Sequence, residues 1–103
     1  MAFVYLISKI DDDNTCKIGI TKNKVLNRLN ELQTGSSDEL YIKQTFETDY
    51  PFKLEKMLHK HFNDKKIMNE WFYLSNEDIS NFKNICQIYN NNFEILKNNP
   101  FFK

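Results

Sequence analysis

Arg28 is the only arginine of the chain, which otherwise uses lysine for its basic side chains. It lies within residues 16–32, where a short strand-like run ends in a turn and opens into an amphipathic helix. A guanidinium presents a planar fork of donors that matches a phosphate group, whereas lysine offers a point charge. A single arginine among many lysines therefore indicates a phosphate-binding role for Arg28.

Glu55 and His59 are the next residues that could do chemistry. They are four residues apart in a predicted helix, so their side chains lie one above the other at the edge of its apolar stripe. A carboxylate and an imidazole placed in this way could bind a divalent cation or transfer a proton. The same spacing also fits an ordinary solvated pair, and both interpretations stay open. His61 lies inside the apolar stripe and is interpreted as a core residue.

The elements that must position these residues belong to one domain, predicted over residues 1–103 with its core at about residues 3–89. The 103 residues carry fourteen basic and fourteen acidic side chains, so any affinity for a polyanion must come from a local patch. The high aromatic content, 15%, favours a packed globular domain over disorder. The composition therefore indicates a small globular protein without a strong net electrostatic field.

Cys16 and Cys86 are far apart and match no metal-ligand spacing, so we expect two buried free thiols. Such thiols are typical of an intracellular, reducing compartment. The first nine residues have no basic region, and their apolar run is too short for a signal or membrane segment. We therefore expect a soluble intracellular protein without a membrane partner.

Hydrophobic periodicity predicts an α+β order of elements. The acidic residues 11–14 are interpreted as a hairpin turn rather than a metal loop. Residues 70–75 are interpreted as a short strand or extended segment, in which Trp71 could stack on a base, although core packing is favoured. The predicted strands are residues 3–10, 15–21 and 40–48, and the predicted helices are residues 25–32, 51–62 and 75–89, followed by a C-terminal helix or tail at 90–103.

Helix termini are predicted from capping residues. Thr21–Asn23 offers capping oxygens before the first helix, and Gly35 is placed to close it. Asp49 followed by Pro51 indicates the start of the second helix. Ser75 with Asp78 three residues later matches a capping box for the third helix.

Several segments match a known pattern when they are taken together: VYLI at 4–7, KIG at 17–19 followed by Thr21, Arg28, LEKMLHKHF at 54–62 and EWFYLS at 70–75. In this order and spacing they resemble the GIY-YIG nuclease superfamily. The most similar branch is the small phage and large-DNA-virus group, with its KIG-x-T, LEK-x-LH and EWF motifs. The resemblance covers about three quarters of the chain.

The resemblance implies a small three-stranded antiparallel sheet flanked by helices. It implies an endonuclease that hydrolyses DNA phosphodiester bonds with one divalent cation, Mg²⁺ or Mn²⁺. By this analogy Tyr5 matches the tyrosine of the first motif, Arg28 the phosphate-binding arginine and Glu55 the metal-binding carboxylate. His59 matches a histidine common in this branch.

The chain departs from the superfamily pattern at two positions. Lys17 stands where many members have a second catalytic tyrosine, so its ammonium group would contact phosphate or carry a proton. Ile20 stands where other members often have a polar residue. Because of these departures, a DNA-binding module without turnover and a protein-interaction domain remain alternatives to the endonuclease.

The catalytic interpretation makes a geometric prediction. Tyr5, Lys17, Arg28 and Glu55 should converge on one shallow concavity that is open to solvent. Tyr5, whose ordinary pKa is about 10, could accept a proton from water only if nearby positive charge lowered that pKa. The lysines expected at the rim, as contacts to the nucleic-acid backbone, are Lys22, Lys24 and Lys56.

Overall fold

The first strand, β1 (Ala2–Lys9), is the centre of the sheet in a computed structural model that describes residues 2–97. It pairs antiparallel with β2 (Asp12–Thr21) on one side and with β3 (Leu40–Thr48) on the other. Its side chains alternate between the two faces of the sheet, as expected for a strand with period two. Val4 and Leu6 belong to one core cluster, whereas Tyr5 and Ile7 belong to another.

Two short strands extend the sheet beyond β2. The strands β4 (Lys66–Met68) and β5 (Trp71–Tyr73) form a hairpin, and β5 pairs with β2, which gives the strand order β3-β1-β2-β5-β4. Asn69 in the connection has a φ of 52°, a left-handed conformation that asparagine tolerates well. The α+β class is therefore correct, but the prediction of three strands was wrong, because the sheet has five.

The helices cover both faces of this sheet. The first helix, α1 (Val25–Thr34), packs on the face that carries Tyr5 and Ile7. The second and third, α2 (Pro51–His61) and α3 (Asn76–Lys97), pack on the opposite face around Val4 and Leu6. A single turn of 3₁₀ helix, Asn63–Lys65, links α2 to β4.

The helix ends confirm some capping predictions and correct others. The capping box is present, since Asp78 N–H donates to Ser75 Oγ at 3.1 Å and Ser75 N–H donates to Asp78 Oδ2 at 3.0 Å. Gly35 is the C-cap of α1 and Pro51 lies in the first turn of α2, both as predicted. The N-cap residues of these two helices were predicted wrongly. Lys24 and Tyr50 occupy the N-cap positions of α1 and α2, and neither makes a side-chain capping bond.

Two further predictions concern α2 and α3. His61 is exposed and bonds through Nδ1 to the Tyr89 hydroxyl at 3.0 Å, so its assignment to the core was wrong. The apolar face of α2 is formed by Leu54 and Leu58, which leaves His61 beside it. The predicted C-terminal segment at 90–103 begins as a continuation of α3 as far as Lys97. Residues 98–103 lie outside the described part of the chain.

Both thiols are free and buried, as predicted. Among the helices of residues 2–97, none has the length and hydropathy needed to cross a membrane.

Candidate active site

Tyr5 and Gly19 form the floor of the candidate site. They face each other across the pairing of β1 with β2, and Tyr5 is only 1% exposed. The phenol lies directly over the glycine, because a Cβ atom at Gly19 would come within 2.3 Å of Tyr5 Oη. The glycine is therefore needed for space rather than for an unusual backbone angle. Sequence reasoning gave Gly19 no role in the site.

Arg28 reaches this phenol from α1. Its Nε donates to Tyr5 Oη at 3.5 Å, and its Nη1 lies 3.2 Å from Glu31 Oε2. The side chain is 37% exposed, so the guanidinium contacts the phenol at one edge and solvent elsewhere. Arg28 thus combines a fixed position with free hydrogen-bonding capacity, which suits an anion arriving from solution.

Lys17 lies on the same face of β2 as Gly19 and is held by Glu70. The Lys17 Nζ is 2.9 Å from Glu70 Oε1, and the lysine side chain is 13% exposed. Glu70 precedes β5, and its carbonyl accepts a hydrogen bond from Ile18 N–H at 3.0 Å. Glu70 is a second residue of the site that sequence reasoning missed, although it begins the EWF motif.

The outer edge of β2 opens at the carbonyl of Ile18, whose N–H is the last group on this edge that bonds to the Glu70 backbone. Strand β5 pairs with β2 only from Thr15 to Lys17, so the carbonyl of Ile18 has no strand partner on that side. His59 of α2 satisfies this carbonyl through Nε2 at 2.9 Å, and its ring packs against Phe72 at 5.0 Å. His59 therefore fixes α2 against the open edge of the sheet.

Glu55 lies on α2 at this edge, one helical turn before His59. Burial raises the pKa of Glu55, and the negative charge of Glu70 raises it further, while His59 and Lys17 oppose the shift. The bond from His59 to the Ile18 carbonyl holds α2, and with it Glu55, against β2. The charge of Glu55 also acts on the phenol of Tyr5.

Arg28 contacts Tyr5 directly and Lys17 contacts Glu70, whereas Glu55 is related to them through charge alone. The cavities of about 470 and 440 Å³ in the described residues are not lined by these four side chains, so one concavity shared by all four stays a prediction.

Comparison with protein families gives one match. The model of the T5orf172 domain matches residues 2–87, which include every residue of the cluster just described. The chain belongs to the T5orf172 domain family. This is a phage-associated domain grouped with endonuclease-related domains, so the nuclease-related part of the sequence resemblance is supported. Neither the curated proteins nor the solved structures gave a significant match.

The electrostatics of this T5orf172 domain differ from one expectation. Burial raises the pKa of Tyr5 above its ordinary value, and the charges of Glu70 and Glu55 also raise it. The hydrogen bond and the positive charge of Arg28 lower it without reversing the shift. Tyr5 is therefore a neutral phenol near pH 7, and not the acidified tyrosine that a proton acceptor would require.

The predicted rim lysines occupy different places in the domain. Lys24 is the N-cap of α1 and Lys56 follows Glu55, and both side chains are exposed. Lys22 is also exposed, and its Nζ lies 5.5 Å from the centre of the Phe52 ring. Lys22 and Phe52 line a cavity of about 470 Å³ beside the start of α2.

The carboxylates of the domain can be tested against a divalent cation. Residues 2–97 contain no group of three or more His, Cys, Asp or Glu side chains that could hold a metal ion. Burial raises the pKa of Glu55, and the negative charge of Glu70 adds to that shift. Mg²⁺ is often bound by one or two carboxylates together with water and substrate phosphate. The pair fits that kind of site, and does not fit a cage made of protein ligands alone.

Proposed function

We propose that this T5orf172 domain is a metal-dependent endonuclease of the GIY-YIG type that hydrolyses DNA phosphodiester bonds. The observation that supports the proposal is the contact of Arg28 with the Tyr5 phenol over Gly19, with Lys17 on the same face of β2 and Glu55 on the helix that packs against this strand. These side chains come from four different elements, and an ordinary core has no need to gather two basic groups, a phenol and a half-buried carboxylate. Membership of a nuclease-related family supports the same conclusion.

Arg28 and Lys17 would bind the scissile phosphate. The exposed edge of the guanidinium can donate to two phosphate oxygens, and these bonds strengthen as charge develops in the transition state. Lys17 is paired with Glu70 in the free protein, so phosphate binding would exchange a carboxylate for a phosphate oxygen. Arg28 is thus the principal phosphate ligand and Lys17 the second.

Tyr5 would act as a hydrogen-bond donor in this reaction. Its pKa is raised, so Oη keeps its proton at neutral pH and can donate a hydrogen bond to a phosphate oxygen. The bond from Arg28 Nε occupies an acceptor position of the same oxygen. The phenol therefore connects the phosphate-binding guanidinium with that phosphate oxygen.

Glu55, with Glu70 beside it, would hold Mg²⁺ or Mn²⁺. A bound divalent cation supplies Lewis-acid stabilisation of phosphate charge and favours ionisation of water. The raised pKa of Glu55 in the free protein accords with this role, because a cation would relieve the repulsion between the two carboxylates. His59 would position Glu55 through its bond to the Ile18 carbonyl.

A DNA-binding module without turnover is the second candidate. One specific observation favours it: Lys17 replaces a catalytic tyrosine and is already paired with Glu70. The balanced net charge also makes binding depend on the local lysines Lys22, Lys24 and Lys56. This candidate predicts salt-sensitive binding of DNA and no cleavage with any divalent cation.

Incubation of the purified chain with supercoiled plasmid and Mg²⁺ or Mn²⁺ tests the two candidates. We expect nicking that falls at least about 100-fold in Glu55→Gln and in Arg28→Lys. Glu47→Gln is the matched control, because it removes an exposed carboxylate on β3. Binding without nicking by the wild-type chain would favour the module. If Glu55→Gln keeps both binding and nicking, the assigned site is contradicted. If the wild-type chain binds neither DNA nor RNA, the protein-interaction domain is the remaining candidate.

A further inference from the structure

A second cavity, of about 440 Å³, opens beside the candidate active site. Its lining combines the indole of Trp71 and the flexible side chain of Met68 with three groups that can form hydrogen bonds, Thr15, Ser36 and Asp38. An aromatic wall with a few polar groups is the usual composition of a site for a small planar ligand. The cavity therefore has the chemistry of a binding site, and the reaction proposed above does not use it.

Trp71, which lines the cavity, is a direct neighbour of two residues of the proposed site. Trp71 pairs with Lys17 across β2 and β5, and it follows Glu70 directly in the sequence. The Lys17 Nζ lies 5.7 Å from the centre of the Trp71 ring. Partners across an antiparallel pair are roughly 5 Å apart, so a group bound at Lys17 lies next to the indole. A phosphate at Lys17 would thus place the adjoining base beside Trp71.

The charges around the indole match a nucleotide. Lys9 Nζ lies 5.3 Å from the Trp71 ring, and Lys9 forms an ion pair with Asp38 at 3.2 Å. Both members of that pair are at least one-third exposed, so the pair is easily exchanged for another partner. A base could then stack on the indole while Lys9 and Lys17 contact the flanking phosphates. Asp38 would become free to accept a hydrogen bond from the base edge.

The mouth of the cavity is unusually apolar for an outer strand. Ile67 is 55% exposed and Met68 is 63% exposed, both on the edge strand β4. Edge strands commonly carry charges that prevent unwanted pairing with other strands. Exposed apolar side chains on β4 therefore indicate a binding surface. The flat face of an unstacked base fits such a surface, and it needs only the small area that these side chains present.

We propose that the Trp71 cavity takes one unstacked nucleobase next to the scissile phosphate. The substrate class is then DNA with an unpaired or extruded base, such as a bulge, a flap or a single strand. This inference rests on the proposed function for its choice of nucleic acid. It adds a base-binding subsite that the endonuclease assignment does not require.

Trp71 is the only tryptophan of the chain, so its fluorescence reports directly on the cavity. The probes are an oligothymidylate, a perfect hairpin duplex, and the same hairpin with one additional unpaired thymine. The Glu55→Gln protein is used, so that binding is measured without cleavage. We expect the single strand and the bulged hairpin to quench the emission, and the bulged form to bind at least about fivefold more tightly than the perfect duplex.

A variant pair tests the same contact by cleavage and binding preference. Trp71→Leu keeps an apolar side chain against the core cluster and removes the stacking surface, so the preference for the bulged hairpin should disappear. Tyr73→Leu is the control, because Tyr73 is an exposed aromatic residue on the same strand and does not line the cavity. It should keep the preference.

The outcomes separate this inference from the endonuclease proposal. Equal affinity for the two hairpins without a change in emission would overturn the base-binding cavity, even if plasmid nicking is observed. Quenching by the bulged hairpin with no cleavage by the wild-type chain would support the cavity and contradict the endonuclease. If no DNA form quenches the emission, the cavity does not bind a base, and the exposed apolar residues of β4 are left for a protein ligand.

Discussion

Gly19→Ala is the substitution that most directly tests the geometry of the site. The added methyl group would lie 2.3 Å from Tyr5 Oη and 2.6 Å from Cζ, far inside van der Waals contact. The ring is buried at 1% exposure and belongs to the core cluster on the α1 face, so it has little room to move away. The phenol must therefore be displaced, and its 3.5 Å contact with Arg28 will be lost.

The expected change in the free energy of unfolding of Gly19→Ala follows from two opposing effects. Forcing an extra methyl group into a packed core destabilises a protein by about 1–3 kcal/mol. Replacing glycine inside a strand returns about 0.5–1 kcal/mol, because alanine loses less conformational freedom on folding. We therefore expect a net loss of roughly 1–2 kcal/mol, and about 4–8 °C in melting temperature for each kcal/mol. Cleavage should fall further than stability, since Tyr5 and Arg28 separate.

Urea unfolding followed by circular dichroism measures this cost, and a double-mutant cycle assigns it to the phenol. In the Tyr5→Leu background the clashing ring atoms are gone, so Gly19→Ala should become nearly neutral or stabilising. Gly35→Ala is the matched control, because its methyl group would meet its nearest neighbour, the Leu32 carbonyl oxygen, at 3.9 Å. An equal cost of Gly19→Ala in both backgrounds would refute the placement of Tyr5 over Gly19.

Two further predictions concern stability and thiol chemistry. Burial would raise the pKa of Asp78, but hydrogen bonds from Lys65 and Ser75 outweigh it and hold that pKa below its ordinary value. The stabilisation is thus present above the unfolded pKa of about 3.9 and lost as the pH falls through the folded pKa. Asp78→Asn should cost about 0.5–2 kcal/mol at pH 7, and urea unfolding at falling pH should show the difference shrinking below about pH 4. Cys16 and Cys86 are fully buried, and burial raises the pKa of both thiols, that of Cys86 to about 12. Both should react with a disulfide reagent at least ~100-fold more slowly than in the unfolded chain, and rapid labelling of the native protein would contradict their burial.

The sequence predicted the parts of the fold that are long and locally encoded. The strands β1 and β3 lie within two residues of their predicted bounds. Their β-branched and aromatic residues favour a strand without reference to any other part of the chain. Strand β2 begins at Asp12, earlier than the predicted residue 15. Tyr41 and Lys43 of β3 explain the difference, since they donate to the carboxylate and carbonyl of Asp13 and hold the acidic residues in extended form.

The outer part of the sheet was predicted only in part. Residues 70–75 were interpreted as a short strand or extended segment, and β5 lies within them. Strand β4 was not predicted, because three exposed residues are too few to display a period of two. The partner of β5 is the stretch Thr15–Lys17, more than fifty residues earlier, so no local pattern predicts that pairing. The full length of α3 was also not predicted, because three consecutive asparagines at 90–92 suggested that the helix ends there. Asn90 accepts a hydrogen bond from Thr48, which helps the helix to continue.

The candidate site shows the same division. Arg28 was singled out because it is the only arginine of the chain, and Glu55 because of its spacing from His59. Tyr5 was assigned only through the resemblance to the GIY-YIG superfamily. Gly19 and Glu70 were not assigned a role, since the reason for each is a contact across the sheet: the phenol over the glycine, and the ion pair with Lys17. Sequence reasoning identified the groups that could do chemistry, and the structure added those that hold them in place.

The length of β5 determines whether the site can exist. Tyr5 and Lys17 point toward the α1 face, while Glu55 belongs to a helix on the opposite face. A carboxylate can join a phenol across a sheet only by passing an edge that no strand covers. Pairing of β5 with β2 stops at Lys17, and the next edge carbonyl, that of Ile18, is taken by a side chain of α2 instead of by a strand. Two more paired residues in β5 should satisfy that carbonyl with a backbone bond, and the contact by which His59 holds α2 at this edge should then be lost.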